Sequence, residues 1–342
     1  MKHTNIQTKK DLANYLRCNL DFLDKAINDE FYIRDTKEST EAKGKVTFPL
    51  TEISVSKYYI KKKGKIGGFR IVHQVWSYQL ENSLKILNNY LSDIFTPFDF
   101  IHGFVKGKSI KTNANSHLAK KIILSVDIKE YFESISKKMI ITNLVKIGFK
   151  ENVALWIASI TTIEGYLVQG FCTSPIIANI VTHDLDKKLK NWCGNNIEYT
   201  RYADDLYFSS HGPVIPLSEI TILIEDYGFI LNDRKTKLMK RGHQQYVTGL
   251  TTFDSKNARI SKKIKRNIRL EIYYLNKFGY KKHVRNKLIK SGENIKDPNF
   301  KFKLYNEIEK TRDKLFGWIH FIQSIEPDFS SRYYSKLKKA KP

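Results

Sequence analysis

Two adjacent carboxylates, Asp204 and Asp205, stand between Tyr199-Thr200-Arg201-Tyr202 and Leu206-Tyr207-Phe208. Aromatic and β-branched residues on both sides predict a strand, a tight turn and a second strand, with the acids at the tip. Like charges held side by side repel, and a chain gains little from them unless a cation sits between the pair and some partner. A divalent metal is the first candidate. Asp also tolerates turn geometry, so Tyr202-Ala203-Asp204-Asp205 alone favours a solvated turn; the surroundings must decide.

Ile122-Ile123-Leu124-Ser125-Val126-Asp127-Ile128 reads as a buried strand that ends on a carboxylate. An acid there is costly to bury unless it is paired or metal-bound, although it could also cap a helix. It supplies a third acid on a different strand, which a two-metal site needs. Leu167 to Pro175 leads into a helix with Thr173 or Ser174 as cap, Pro175 in the first turn and an apolar face of Ile176, Ile177, Ile180, Val181, Leu185 and Leu189. Packing explains those aliphatics; it does not explain Gln169-Gly170, which would present an amide and open backbone beside the acids. Ser218 to Tyr227 predicts a helix ended by Gly228, then a strand and Asn232 to Lys237. Lys235 there could donate a proton or neutralise pyrophosphate, or could be plain surface charge. The order strand, helices, hairpin, helix, strand is the split βαβ plan, which can set Asp127 beside Asp204.

The net charge of +24, with 13% aromatic residues, is far more than solubility requires and points to a polyanionic partner. Nucleic acid fits better than a membrane, because no long apolar run or basic amphipathic anchor stands out. From Lys256 onward there are 24 Lys and Arg against 8 Asp and Glu, so much of the surplus lies in the last quarter of the chain. At 342 residues there is room for two domains and a substantial core. Met1 to Lys10 is polar and lacks a signal-like apolar stretch, so a cytoplasmic location is expected. Cys18, Cys172 and Cys193 lack metal-ligand spacing.

Residues 8–28 and 76–96 carry helix-like apolar spacing. Between them, Tyr58 to Val72 reads as two strand-like runs joined by a basic turn with Lys61, Lys62, Lys63, Lys65 and Arg70. Such a hairpin could close over a triphosphate, or it could be a solvated charged hairpin. Asn113 and His117, taken singly, fit a helix cap or a satisfied polar group. Gln245 to Leu250 reads as a strand and turn, and from about Asp254 helices with basic faces begin a new region.

In order and spacing, Asp127-Ile128-Lys129-Glu130-Tyr131-Phe132, Gln169 to Pro175, Tyr202 to Asp205 and Gly228 to Lys235 resemble the palm motifs of reverse transcriptases, and the hairpin ending at Arg70 resembles their fingers motif. Asn113-Ala114-Asn115-Ser116-His117 and Val247-Thr248-Gly249 resemble the two signatures of bacterial retron reverse transcriptases. The resemblance covers roughly residues 10–255. Two positions depart: His73-Gln74-Val75 lacks the fingers proline, and Cys172 stands where the palm loop often has one.

The resemblance implies an α+β right-hand polymerase with fingers, a ferredoxin-like palm and a basic helical thumb. The expected division is 1–120 N-terminal extension and fingers, 121–253 palm and 254–342 RNA-binding thumb. It implies two Mg²⁺ held by Asp127, Asp204, Asp205 and the Ile128 carbonyl, with Lys235 as a proton donor. Arg70, Lys63, Lys65, Phe132, Gln169 and Gly170 would handle the deoxynucleotide, Phe132 as the steric gate against a ribose 2′-OH. Asn113, His117, Val247, Thr248 and Gly249 would select RNA. The partners implied are dNTPs, a structured noncoding RNA, its covalently attached DNA product and a separate effector protein in anti-phage defence, with no membrane. A group II intron or abortive-infection type of reverse transcriptase, and a catalytically idle RNA-binding scaffold, are the competing readings.

Overall fold

The computed structural model describes residues 6–36, 53–62, 68–212 and 214–341. In chain order the elements are α1 (Lys9–Leu16), α2 (Leu20–Ile27), β1 (Phe31–Asp35), β2 (Ile53–Lys61), β3 (Phe69–Val75), α3 (Tyr78–Ile94), α4 (Ile110–Asn115) and β4 (Ile122–Asp127). Then follow α5 (Lys137–Lys146), α6 (Glu151–Thr161), β5 (Thr162–Ile163), β6 (Tyr166–Leu167), α7 (Ser174–Val181), α8 (His183–Cys193), β7 (Glu198–Tyr202) and β8 (Asp205–Ser210). The chain ends with α9 (Leu217–Glu225), β9 (Lys237–Lys240), β10 (Tyr246–Val247), β11 (Leu250–Thr251), α10 (Lys262–Lys290), α11 (Phe300–Gln323) and α12 (Pro327–Lys338). These form two compact units, one of residues 1–109 and 124–238, the other of residues 110–123 and 239–342.

The central sheet, drawn mostly from the first unit, runs β7-β8-β4-β9. Numbered along the chain, its strands lie in the order second, third, first, fourth, which is the ferredoxin-like palm expected from the split βαβ plan. β8 is buried at every position except Asp205, and in β4 Ile123, Leu124, Val126 and Asp127 are buried. Continuous rather than alternating burial means that both faces are covered. Ile177, Ile180, Val181, Leu185 and Leu189 of α7 and α8 belong to this core, so the apolar face read after Pro175 is indeed a packing face.

A second sheet, β1-β2-β3, carries the predicted basic hairpin, with Tyr58 opposite Val72 and Ile60 opposite Arg70. Lys63 and Lys65 lie outside the described residues. The expected helix over 8–28 is instead α1 and α2, broken at Arg17, whose φ of 56° is left-handed. Neither expected cap hydrogen bond at α7 forms. Thr173 is the N-cap without a side-chain bond, and Ser174 Oγ instead donates to Val168 O at 2.6 Å.

The hairpin that ends in the two acids is held from below by Arg201, which is completely buried. Nε donates to Asp186 Oδ1 at 2.8 Å, and Nη2 to Asp186 Oδ2 at 2.6 Å and Asn179 Oδ1 at 3.1 Å. Nη1 donates to Tyr131 Oη at 3.0 Å and to the Ala203 carbonyl at 3.1 Å. All five guanidinium donors are therefore used, and the last of them grips the turn itself.

In the second unit, residues 110–123 run along β10 and β11. Ala119 N donates to Thr252 O at 2.8 Å, Ala258 N to Asn115 Oδ1 at 2.8 Å, and Gln245 Nε2 to the carbonyls of Lys120 and Lys121 at 3.3 Å each. Lys111 Nζ reaches Ile325 O at 3.0 Å. α10, α11 and α12 pack on one another, with Ile272, Leu275, Leu315, Ile319, Ile322 and Leu337 buried, and α10 is interrupted at Gly279 (φ 75°, ψ 165°). Glu326 binds Lys265 Nζ through both oxygens, at 3.0 and 2.8 Å, and accepts from Ile260 N at 2.8 Å. Among the described residues no helix is long and apolar enough to cross a membrane.

Removing one partner of a buried ion pair leaves an uncompensated charge, so Arg201→Met should cost about 3–5 kcal/mol. Urea unfolding checks this. The double substitution Arg201→Met/Asp186→Leu should recover part of the loss, and a single substitution without effect would show that the pair is not structural.

Candidate active site and nucleic-acid interface

The palm sheet brings the three predicted acids together. Tyr202 pairs with Asp205 across the hairpin, and Ala203 turns the chain with a φ of 57°. The Ile128 amide, at the end of β4, donates to the Asp204 carbonyl at 2.9 Å, which fixes the tip of the hairpin against Asp127. The other side of Asp127 is closed by Asn232, whose amide donates to the Asp127 carbonyl at 2.8 Å. From below, His102 N donates to Arg201 O at 2.8 Å. Gly103 then lies so close that a Cβ on it would sit 2.2 Å from Ala203 N, so only glycine fits under the turn.

Both Asp127 carboxylate oxygens have partners. Asn232 Nδ2 donates to Oδ1 at 3.2 Å, and Lys235 Nζ contacts Oδ2 at 2.6 Å. Burial raises the Asp204 pKa, and the charge of Asp127 raises it further. Asp205 is pushed up to about 7 by burial, and then by Asp204 and Asp127. Burial disfavours the charged Lys235, but its hydrogen bond to Asp127 and the attraction of the three acids outweigh this and raise its pKa. Lys235 thus stands where a cation is wanted, without neutralising the whole cluster.

That imbalance fits a divalent ion: oxygen donors of this kind suit a hard cation, whose charge would favour the ionised form of Asp205 against the burial and neighbouring acids that raise its pKa to about 7. Among the described residues no three His, Cys, Asp or Glu side chains already converge as a closed ligand set.

Gln169 and Gly170 lie on the loop before α7. Gln169 O accepts from His73 N at 2.7 Å and Gln169 Nε2 donates to Glu133 Oε1 at 3.1 Å. Gly170 has a φ of 115°, and a Cβ there would come within 1.9 Å of His73 O. β3, which also carries the exposed Arg70, is therefore docked directly on this loop. Phe132 is half-buried, its ring centroid 6.0 Å from that of the exposed Phe104.

Asn113, His117, Val247, Thr248 and Gly249 all fall in the second unit. Asn113 and His117 are fully buried, and neither Asn113 Oδ1 nor Nδ2 has a hydrogen-bond partner among the described residues. Val247 pairs with Leu250, so Thr248 and Gly249 form a two-residue turn, with φ values of 46° and 80°. Positive φ at both positions suits Asn-Gly far better than a β-branched residue, which pays about 1–2 kcal/mol there. Thr248 Oγ1 donates to Ile110 O at 2.9 Å, an interaction that offsets the strain and latches the turn to α4.

Sequence reasoning did not single out Arg201, Asp186, Asn179, Gly103 or Asn232 as parts of the site. An arginine inside an otherwise apolar strand run was the visible signal for the first of them.

Fold and acidic site define a right-hand polymerase. The family described as "Reverse transcriptase (RNA-dependent DNA polymerase)" matches residues 60–275, well over half of the chain, and the chain belongs to it. Within that family its relatives are retron enzymes, and it belongs with them. It is 30% identical to the retron Ec73 reverse transcriptase of Escherichia coli over 76% of this chain and 87% of that protein. With the E. coli retron Ec86 enzyme it shares 27% identity over 82% of this chain and 81% of that protein. With the Myxococcus xanthus retron Mx65 enzyme the identity is 35%, over 44% of this chain and only 40% of that protein. Among solved structures, apo telomerase from Candida tropicalis aligns over 88% of this chain and 62% of its own, with 13% identity and a TM-score of 0.45.

The folded pKa of Asp205, about 7, lies above the ordinary 3.8. The stability linked to its proton is complete below the ordinary value and disappears as pH rises through about 7. Metal-free protein should therefore melt lower at about pH 8 than at about pH 5, Asp205→Asn should flatten that slope, and Mg²⁺ should raise the melting temperature most at the higher pH. Identical pH profiles for wild type and Asp205→Asn would contradict the assignment.

Proposed function

We propose that the chain is the RNA-directed DNA polymerase of a retron: it uses one folded noncoding RNA as template and primer, starts from a 2′-hydroxyl, and produces single-stranded DNA branched from RNA. The observation that carries the reading is the placement of Asp127, Asp204 and Asp205 at neighbouring ends of the two central palm strands, where burial and the other two acids push the Asp205 pKa up to about 7.

Asp127, Asp204, Asp205 and the Ile128 carbonyl would hold two Mg²⁺, whose charge lowers the pKa of a primer hydroxyl and offsets that of the triphosphate. The chain's own groups do the positioning. Arg70, exposed on β3, would pair with the triphosphate oxygens of the incoming dNTP, assisted by Lys63 and Lys65. Gln169 and Gly170 would line the base and sugar, and Phe132 would exclude a 2′-hydroxyl. Lys235, protonated and more than half exposed, would give its proton to the departing pyrophosphate once it has left Asp127.

Residues 254–342 would serve as the thumb. The burial of Asn113 and His117 favours a positioning role for them in RNA selection, one that holds the Thr248-Gly249 turn in place. The reading also includes a cytoplasmic site of action and a role in anti-phage defence with a separate effector.

The deciding experiment compares small nucleic acids from cells that carry this gene and its adjoining noncoding DNA with cells carrying Asp204→Ala/Asp205→Ala. A discrete DNA species that changes mobility after RNase treatment and is absent from the double mutant is expected. A folded wild-type protein that retains RNA yet makes no DNA would favour the RNA-binding scaffold instead. In a primed-template assay, Phe132→Ala should raise ribonucleotide incorporation relative to deoxynucleotide by roughly one to two orders of magnitude, as a clash worth about 1–3 kcal/mol is removed.

A further inference from the structure

In the second unit, beside the Thr248-Gly249 turn in sequence, Phe253 is 62% exposed. A lone exposed aromatic is ordinary, but this ring is not alone. The Arg241 guanidinium lies 5.0 Å from its centroid, and Arg241 is itself fixed at two points: its amide donates to Lys121 O at 2.7 Å and its Nη1 to Ala119 O. Ala119 in turn donates to Thr252 O, next to Phe253 in the chain, at 2.8 Å. The ring and its cation are thus mounted on one rigid corner formed by residues 119–121 and the end of β11.

The charge around this corner is one-sided. Lys240, His243 and Lys256 are exposed. The neighbouring acid, Asp254, is occupied: Oδ2 accepts from Arg259 Nε at 2.7 Å, and Oδ1 accepts from Lys256 N at 2.7 Å and Asn257 N at 3.3 Å. A flat apolar surface with a guanidinium over it and cations around it matches an unpaired nucleobase with its phosphates. A duplex offers no exposed base face along its length, so it would not use Phe253.

We propose that Phe253 and Arg241 form a stacking platform for an unpaired base of the RNA, a specificity-determining site separate from the polymerase acids. The proposal rests on the RNA-directed reading above. It also gives the buried Asn113 to His117 segment a task, because the chain leaving that segment supplies the carbonyls that anchor Arg241.

The test uses the full-length protein, the transcript of the adjoining noncoding DNA, and a transcript of equal length with scrambled loops. Phe253→Ala should weaken binding of the first by about 5- to 150-fold, the range for loss of one stacked base, while leaving the salt dependence of binding unchanged. Phe253→Trp should retain binding, and Lys240→Ala should instead lower the salt slope by about one ion. DNA synthesis on poly(rA) primed with oligo(dT) should be the same for wild type and Phe253→Ala. Equal discrimination by wild type and Phe253→Ala overturns the platform alone. Absence of discrimination by the wild type removes the retron-RNA reading and the platform together.

Discussion

The buried Arg201–Asp186 pair underlies the geometry of the site. A guanidinium taken out of water is tolerable only if each donor finds an acceptor, and here one acceptor is the carbonyl of Ala203, the residue that turns the hairpin. The same arginine thereby ties together α7 through Asn179, α8 through Asp186, the segment after β4 through Tyr131, and the hairpin tip. The acids above it repel one another, and without such an anchor the tip would relax away from Asp127. The structure sets a fully satisfied charge beneath the hairpin against an unsatisfied one above it.

The chemistry of the palm was legible because it is local: a carboxylate at the end of an apolar strand, two more in a hairpin turn, and a glycine after a glutamine each occupy a few residues. Strand order followed from the alternation of elements. What escaped was set by contacts between distant positions. Asp186 reads as one of several charges on α8 until the sheet covers it, and Thr173 reads as a cap although the loop before α7 leaves its hydroxyl buried without a partner among the described residues. Asn113 and His117, taken singly, read as a helix cap or a satisfied polar group, whereas the packing of α4 on β10 and β11 puts both out of reach of solvent. Burial of a polar side chain is a property of what covers it, and the covering residues lie more than 100 positions away.

The two signature motifs also show why order along the chain and grouping in space differ. Residues 110–123 are flanked by parts of the first unit yet belong to the second, where their carbonyls and side chains hold the Thr248-Gly249 turn and the corner bearing Arg241. The β-branched residue in this left-handed turn sets its hydroxyl on the Ile110 carbonyl, a contact that glycine could not make.

Gly170 has a mechanical meaning. Its backbone lies against His73 too closely for any side chain, and the His73–Gln169 hydrogen bond adds a rigid link. Arg70 is three residues along the same strand, roughly 10 Å away at the usual rise. Tension on that arginine would be borne by a short, stiff beam that ends on the loop leading into α7, rather than dissipated through soft side chains. A pull at Arg70 would thus be felt as displacement at the helix that carries Asn179, and through it at the seat of the hairpin.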